Sequence, residues 1–253
     1  MKERSVSVLP EMHEIWQQTL NWQPSIAQQV QFQQLYEAIV IGNQKLNLTR
    51  ITAPEEFWEK HLWDSLRGVA PFLGGISEGD KEDREDKEEL LLSTSEFRIP
   101  NSEFRILDIG TGAGFPGIPV AIALPDAEVT LLDSTQKKVA FLNSLMTEMN
   151  LQNIQTLVGR AENINKQPQQ SNSYDIALVR AVAAADVCAN YALPFLKVEG
   201  LAVLYRGNWT KEEQTTLEDT VKKLSGKIEK IENFTTPLSQ GMRHCIYLRK
   251  INS

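Results

Sequence analysis

Apolar side chains recur at helical spacing in the first part of the chain. One such stretch begins after Ser25, whose hydroxyl can cap a helix, and it ends at Gly42-Asn43. Its apolar positions are Ile26, Val30, Leu35, Ile39 and Val40. Proline and acidic residues at 53–56 suit a first helical turn, and a further helix follows through His61, Leu62, Leu66 and Val69 up to Pro71. The pattern therefore predicts an N-terminal helical region over residues 1–77, without strands.

After residue 104, short apolar strands alternate with helical stretches. The predicted strands cover residues 104–109, 128–133, 154–158, 174–179 and 201–205, followed by terminal strands at 227–234 and 244–249. The predicted helices cover 116–123, 186–196 and 210–224, and a further helix begins after Ser134. Such alternation is typical of a parallel sheet covered on both faces, and the last two strands add an antiparallel end. For residues 104–253 we therefore predict an α/β fold, the Rossmann-like sheet of class I methyltransferases, with an N-terminal helical extension.

The segment between these two parts is acidic and of low complexity. Residues 78–104 contain ten acidic and four basic residues, so they carry −6 of the formal net charge of −7. The string SEFRIPN at 95–101 is nearly repeated by SEFRILD at 102–108. Charge runs without an apolar face are usually solvated. We therefore predict an insertion or linker over residues 78–103, which leaves the rest of the chain nearly neutral and compatible with an anionic substrate.

The composition is that of an ordinary globular protein. Of the 253 residues, 42% are hydrophobic and 23% are charged, and no apolar run approaches the ~18 residues of a membrane span. The N-terminal stretch lacks the apolar centre of a secretory signal. Cys188 and Cys245 stand far apart, without the spacing of a metal site, so we expect two buried thiols. The expectation is a cytoplasmic protein, monomeric by default, with neither a metal nor a membrane partner.

A glycine-rich turn follows the first predicted strand. Gly110, Gly112 and Gly114 lie between a strand and a helix, where glycine allows a sharp turn and close approach of a ligand. Asp108 precedes the turn, and Asp133 ends the next strand, where a carboxylate can accept hydrogen bonds from both ribose hydroxyls of an adenosine-bearing ligand. This arrangement predicts a site for S-adenosylmethionine.

A nicotinamide dinucleotide is the competing ligand for this turn. Residues 112–117 match the GxGxxG pattern, which is weak evidence by itself. Pro116 removes a backbone N–H at the start of the helix, where a pyrophosphate needs donors. S-adenosylmethionine has no phosphate, so the sequence favours a methyl donor over a dinucleotide, and a methyltransferase over an oxidoreductase.

Two common types of nucleobase methylation lack their motifs in this chain. Methylation of an exocyclic amine commonly uses an Asn/Asp-Pro-Pro-aromatic motif after the fourth strand, where this sequence has Leu178-Val179-Arg180-Ala181. Methylation of cytosine C5 needs a nucleophilic cysteine, typically beside proline, and neither cysteine has that context. Both reactions are therefore disfavoured.

The string from Leu107 to Pro119, LDIGTGAGFPGIP, resembles the bacterial glucose-inhibited division protein B family, the guanine-N7 methyltransferases of small-subunit ribosomal RNA. The resemblance extends over roughly residues 25–250, apart from the acidic insertion. The supporting strings are Asn47-Leu48-Thr49, HLWDS at 61–65, LLDS at 131–134, KKVAFL at 137–142, Arg160-Ala161-Glu162 and Arg180-Ala181. Where the family often has lysine before a glycine, this chain has Tyr205-Arg206-Gly207, which keeps the charge but not the geometry.

The resemblance implies roles for particular residues. It implies contacts to S-adenosylmethionine from Gly110, Phe115, the turn Asp133-Ser134-Thr135, Ala161, Glu162 and Arg180. It also implies that Asn47, His61 and Asp64 lie near the substrate. The alternatives are that Asn47 only shapes a loop, that His61 is an ordinary helix histidine and that Asp64 pairs locally.

Guanine N7 carries an in-plane lone pair, so no proton must leave before it attacks a methyl group. The implied reaction therefore needs alignment and exclusion of water rather than a dedicated base, with Arg180 orienting the base or the donor. The basic residues available to hold RNA phosphates are Arg50, Lys137, Lys138, Arg206 and Arg243. The alternative functions are a methyltransferase for a small molecule or a protein, an NAD-dependent oxidoreductase, or a binding module without turnover.

Overall fold

A computed structural model describes residues 7–73 and 104–252. Within these ranges, seven strands form one sheet in the order β3-β2-β1-β4-β5-β7-β6. The first five strands are parallel, and β7 runs antiparallel to both β5 and β6. The strands are β1 Arg105–Ile109, β2 Glu128–Asp133, β3 Ile154–Val158, β4 Tyr174–Arg180, β5 Leu196–Arg206, β6 Gly226–Thr235 and β7 Met242–Lys250. This topology confirms the predicted Rossmann-like methyltransferase sheet with an antiparallel end.

Helices precede the sheet in the chain and alternate with its strands. The N-terminal helices are α1 His13–Leu20, α2 Ile26–Leu46, α3 Pro54–Phe57, the π-helix Trp58–Trp63, α4 Asp64–Arg67 and α5 Ala70–Leu73. Within the sheet region the helices are α6 Gly117–Ala123, α7 Gln136–Glu148, α8 Ala161–Ile164, α9 Ala185–Ala192 and α10 Lys211–Lys223, with a 3₁₀ turn at Leu193–Phe195.

The two faces of the sheet carry separate cores because successive side chains of a strand point to opposite faces. On β1, Ile106 packs with α6, α7 and the N-terminal helices, whereas Leu107 and Ile109 pack with α9 and α10. The N-terminal helices thus cover one face of the sheet rather than forming a separate core. Cys188 and Cys245 are free and buried, as expected, on opposite faces.

The helix α2 begins where it was predicted to begin, but it ends later than predicted. Ser25 caps the helix through a capping box with Gln28, as predicted. The helix then continues through Gly42 to Leu46 and ends at Asn47, which is left-handed with φ 48°. A Cβ at Gly42 would lie 2.4 Å from Cε2 of Phe141, so this glycine allows α2 to approach α7 closely. The prediction of a helix end at Gly42-Asn43 was therefore wrong.

Several other boundaries also differ. The helix α1 was missed, and Pro71 lies inside α5 instead of ending a helix. The N-cap of α7 is Thr135 and not the predicted Ser134, and the Thr135 side chain makes no capping hydrogen bond. The predicted helix over 186–196 stops earlier, because Pro194 lies in the 3₁₀ turn and β5 begins at Leu196. The predicted insertion at 78–103 lies outside the described residues, and no helix in the described parts of the chain is long and apolar enough to span a membrane.

Candidate functional site

Two cavities lie at the carboxyl end of the parallel strands, the edge at which open α/β sheets bind ligands. The glycine-loop cavity has a volume of about 130 Å³, and the arginine cavity has a volume of about 580 Å³. The end of β4 separates them, because Arg180 and Ala181 line the arginine cavity whereas Val182 lines the glycine-loop cavity. Some of the predicted donor residues thus lie on one side of this strand end, and His61, Asp64 and Arg180 lie on the other.

The glycine-rich turn follows β1 directly. Gly110, Gly112 and Gly114 have φ values of 73°, 61° and 96°, in the region where side chains are strained. Of the three, only Gly110 lines the glycine-loop cavity. A Cβ at Gly110 would lie 2.6 Å from Cγ2 of Val182, so the turn passes closely under the segment that follows β4.

Asp108 holds this turn from inside the sheet. It is completely buried, and its Oδ2 accepts hydrogen bonds from the Thr111 hydroxyl at 2.6 Å and from the Gly117 N–H at 2.8 Å. Burial raises the pKa of this carboxyl to about 6. Its Oδ1 has no hydrogen-bond partner among the described residues. Asp108 therefore braces the turn, and its predicted contact with the methyl donor stays a prediction.

Asp133 connects the turn to the end of β2. Its Oδ2 accepts from the Gly112 N–H at 2.9 Å, and its Oδ1 accepts from the Thr135 N–H at 2.8 Å. Each carboxylate oxygen retains acceptor capacity. Asp133 and Ser134 line the glycine-loop cavity. Thr135 is not part of that lining, and its backbone N–H donates to Asp133.

The remaining wall of the glycine-loop cavity comes from the segments that follow β3 and β4 and from α9. Ala161 and Glu162 line it, and their predicted contacts with the methyl donor stay predictions. Gly159, Val182 and Tyr191 line it as well, and sequence reasoning missed the last two because neither belongs to a motif. Gly112, Gly114 and Phe115 lie outside this lining, so their predicted donor contacts stay predictions.

Arg180 lines the arginine cavity and contacts several of its other residues. Its Nη1 donates to the Lys60 carbonyl at 2.8 Å and to Oδ2 of Asp64 at 3.0 Å. Its guanidinium carbon lies 5.7 Å from the centre of the Phe115 ring, and its Nη2 lies 3.5 Å from Nδ1 of His61. Arg180 thus joins the end of β4 to the π-helix and its successor α4, and it brings together two of the three residues predicted to lie near the substrate.

His61 is a neutral, packed side chain. Its ring stacks on Phe115, with centroids 4.3 Å apart and planes 10° apart, and Nε2 lies 2.8 Å from the Thr49 hydroxyl. Burial, together with the charges of Arg180 and Lys60, lowers the pKa of His61 to about 3. The imidazole therefore remains uncharged at neutral pH and has little affinity for a proton.

The π-helix Trp58–Trp63 positions these groups, and such segments are frequent at functional sites. Its Glu59 is buried, and one carboxylate oxygen accepts from the N–H groups of Leu238 at 2.6 Å and Ser239 at 2.8 Å. Burial acts to raise the pKa of Glu59, but the hydrogen bonds from Ser239 and Leu238 outweigh it and lower the pKa. The π-helix is thereby fixed to the loop between β6 and β7.

Asn47 lies outside the lining of both cavities. It is exposed and ends α2 in a left-handed conformation. This placement agrees with the alternative that it shapes a loop, and its substrate role stays a prediction.

The predicted phosphate-binding residues have different surroundings. Arg206 donates to the Ala183 carbonyl at 2.7 Å and to Glu213 at 3.0 Å. Arg243 also lines the arginine cavity, together with Tyr205 and His244. Arg50, Lys137 and Lys138 lie outside both linings. Within the described ranges there is no group of three or more His, Cys, Asp or Glu side chains that could hold a metal ion.

Comparison with known proteins identifies the family. The GidB family model, described as rRNA small subunit methyltransferase G, matches residues 28–76 and 88–246. A ribosomal RNA small subunit methyltransferase G from Nostoc punctiforme is 58% identical over 97% of this chain and 91% of its own length. The protein of that name from Microcystis aeruginosa is 49% identical over 96% of this chain and 99% of its own length.

A solved structure supports the fold alone. A transferase from Pyrococcus horikoshii is 15% identical and has a TM-score of 0.50, over 62% of this chain and 60% of that chain. The family match, by contrast, includes the glycine-rich turn, the end of β4 and the π-helix. The chain therefore belongs to the rRNA small subunit methyltransferase G (GidB) family.

Proposed function

We propose that this chain transfers the methyl group of S-adenosylmethionine to N7 of a guanine in the 16S RNA of the small ribosomal subunit. The observation that carries the proposal is that the two cavities lie on either side of the end of β4, in a chain whose relatives are named ribosomal RNA small subunit methyltransferase G. A methyl transfer needs the donor and the acceptor to approach each other at one point. The residue pair Ala181-Val182 provides such a point.

The groups that line the glycine-loop cavity suit the adenosine part of the methyl donor. Asp133 offers carboxylate oxygens to ribose hydroxyls, Gly110 permits close approach of the backbone, and Ala161 and Glu162 lie where the adenine edge would bind. The unpartnered Oδ1 of Asp108 leaves one buried acceptor near the turn for a hydrogen-bond donor. When bound, S-adenosylmethionine supplies an electrophilic methyl group on a sulfonium centre.

The arginine cavity suits an acceptor that needs no proton removal. His61 is neutral with little proton affinity, and the Asp64 carboxylate already pairs with Arg180. Neither group is therefore free to act as a strong general base at neutral pH. A ring nitrogen with an in-plane lone pair requires none, so this environment favours guanine N7 over an exocyclic amine.

The charged side chains of the arginine cavity can interact with both the methylated base and the phosphate backbone of the RNA. Methylation at N7 makes the base cationic, and the carboxylates of Asp64 and Glu213 line the same cavity. Arg243 lines it as well and can approach an RNA phosphate. Because the cavity admits a single base rather than a duplex, the target guanine must be unpaired or extruded.

The test supplies tritiated S-adenosylmethionine to the full chain together with small ribosomal subunits, and it separates the RNA and protein fractions. We expect label in the RNA fraction and none without enzyme. Calorimetric titration should detect binding of S-adenosylmethionine and not of NAD. Label confined to ribosomal protein, or binding of NAD alone, would contradict the proposal.

A further inference from the structure

His244 lines the arginine cavity from the start of β7. It lies opposite Arg206 of β5, and the preceding residue of β5, Tyr205, lies opposite Arg180 of β4. Neighbouring strands of a sheet are about 4.8 Å apart, so β4 and β7 are about 10 Å apart at this edge. The arginine cavity therefore extends from Arg180, next to the glycine-loop cavity, to His244 on the far side of β5.

A hydrogen bond fixes which ring nitrogen of His244 carries a proton. Its Nδ1 lies 2.7 Å from the carbonyl oxygen of Gly207, an atom that can only accept. Nδ1 must therefore carry the hydrogen of this bond, and in the neutral imidazole the lone pair is on Nε2. The main chain after β5 thus makes Nε2 of His244 a hydrogen-bond acceptor.

This acceptor is available to a ligand. His244 is half-buried, and its Nε2 makes no hydrogen bond with a described residue. Nε2 is also not one of the buried polar atoms that lack a partner, in contrast to Nε of Arg206. It therefore keeps accessible surface in a side chain that lines the cavity.

The other side-chain acceptors of the arginine cavity are less able to select a ligand. Asp64 and Glu213 each pair with an arginine, at 3.0 Å in both cases. Both ring nitrogens of His61 have neighbours within 3.5 Å, a hydroxyl group and a guanidinium. Asn208 is exposed, and its amide can donate as well as accept. His244 therefore offers an acceptor that is half-buried and has no described partner.

Guanine has donors on the edge that faces away from N7. N7 and O6 are both acceptors on one edge, whereas the Watson–Crick edge carries the N1–H and the amino group at C2. When N7 points to the end of β4, O6 lies beside the donors of Arg180, and the Watson–Crick edge points towards β7. Adenine in the same orientation presents an N1 without hydrogen, which is an acceptor.

We propose that Nε2 of His244 accepts a hydrogen bond from the N1–H or the amino group of the target guanine, and that this bond selects guanine over adenine. The inference rests on the proposed function, because it takes the acceptor in the arginine cavity to be a purine N7. With adenine, the lone pairs of its N1 and of Nε2 face each other, and both atoms lack a donor.

Two substitutions separate the two nitrogens of His244. In His244→Asn, the amide nitrogen can take the place of Nδ1 and keep the bond to the Gly207 carbonyl, but nothing replaces Nε2. In His244→Gln, the amide oxygen can take the place of Nε2, whereas the bond to Gly207 is lost. The full chain and both variants are tested on small ribosomal subunits that carry either the natural target guanine, once mapped, or adenine at that position. Nucleoside mass spectrometry measures kcat/KM for the 7-methylated product of each base.

The ratio of the two kcat/KM values is the preference for guanine. We expect His244→Asn to lower kcat/KM for guanine by roughly tenfold, the effect of one lost hydrogen bond, and to leave that for adenine unchanged or higher. His244→Gln should retain more of the preference than His244→Asn does. A purely structural role would lower kcat/KM for both bases alike and would make the glutamine variant the more impaired of the two.

The outcomes also separate this inference from the proposed function. Absence of 7-methylguanosine from natural subunits treated with the wild-type chain would contradict the proposed function itself. If the wild type forms 7-methylguanosine, an unchanged preference in His244→Asn, or no 7-methyladenosine with any of the chains, would overturn the role of His244 alone.

Discussion

The side chain of Arg180 joins the sheet to the N-terminal helices. It donates to a main-chain carbonyl and to a carboxylate, and it lies beside the stacked pair of His61 and Phe115. The planar guanidinium makes these contacts in one fixed orientation, which a lysine ammonium does not reproduce. Arg180 therefore sets the geometry at the end of β4, between the two cavities.

Replacement of Arg180 should consequently impair turnover more than folding. We expect Arg180→Ala to lower kcat/KM for methyl transfer by roughly 100-fold, the scale of a misplaced reactant, and Arg180→Lys to restore little of it. Lys197→Ala, which removes a half-exposed cation that pairs with Asp175, is the control. Activity of Arg180→Ala equal to that of the control would remove Arg180 from the site.

The low pKa of His61 makes stability depend on pH. The unfolded chain takes up a proton at this residue below about pH 6.5, whereas the folded chain does so only near pH 3. The stability linked to His61 is therefore complete above about pH 6.5 and is lost as the pH falls towards 3. Between pH 7 and pH 5 this loss is about 2 kcal/mol.

Urea unfolding of the wild type and of His61→Phe at both pH values measures this effect. Phenylalanine keeps a ring next to Phe115 but has no group to titrate. The wild type should lose about 2 kcal/mol more unfolding free energy between pH 7 and pH 5 than the variant does. Equal losses would mean that His61 titrates normally in the folded chain.

At the scale of elements, the π-helix depends on Glu59 for its attachment to the loop after β6. Glu59→Ala leaves the N–H groups of Leu238 and Ser239 without their acceptor. We expect the free energy of unfolding to fall by about 2–3 kcal/mol, because the lost bonds involve a buried charge. Glu56→Ala, which removes only a surface pair with Lys60, should change it by less than about 1 kcal/mol. Thermal unfolding that ranks the two variants equally would contradict this attachment.

Hydrophobic spacing was sufficient to predict the seven strands in their order along the chain, because most of them carry an apolar run, but it missed the helices α1 and α8. It did not predict the π-helix, because the apolar positions of residues 57–63 also suit an α-helix. Gly42 resembles a helix end in sequence, but its role depends on Phe141 of another helix. Likewise, the glycine turn was evident from local sequence, whereas Val182 and Tyr191 reach its cavity only through the fold.

At the scale of the whole molecule, charge is distributed unevenly. The family match passes over residues 77–87, which contain six acidic and three basic residues. We expect a chain without residues 77–87 to retain methyl transfer within about threefold, because the family match does not include these residues and a change in loop length costs little free energy. It should bind RNA somewhat more tightly at low ionic strength, and this difference should vanish as salt screens the charges.

A third chain, in which a Gly/Ser linker of the same length replaces residues 77–87, separates the effect of charge from that of length. Filter binding across a series of salt concentrations would compare the three chains. If the linker chain behaves like the natural chain at every salt concentration, the acidic residues have no electrostatic effect on RNA binding.

The most direct test of the central claim identifies the methylated atom. Small subunits that lack the modification are incubated with the enzyme and S-adenosylmethionine, and the RNA is digested for nucleoside mass spectrometry. Because His61 is neutral and Asp64 is paired with Arg180, we predict 7-methylguanosine in the wild-type reaction and much slower formation of it with Arg180→Ala. A methyl group on an exocyclic amine or on cytosine, with no 7-methylguanosine, would contradict the claim.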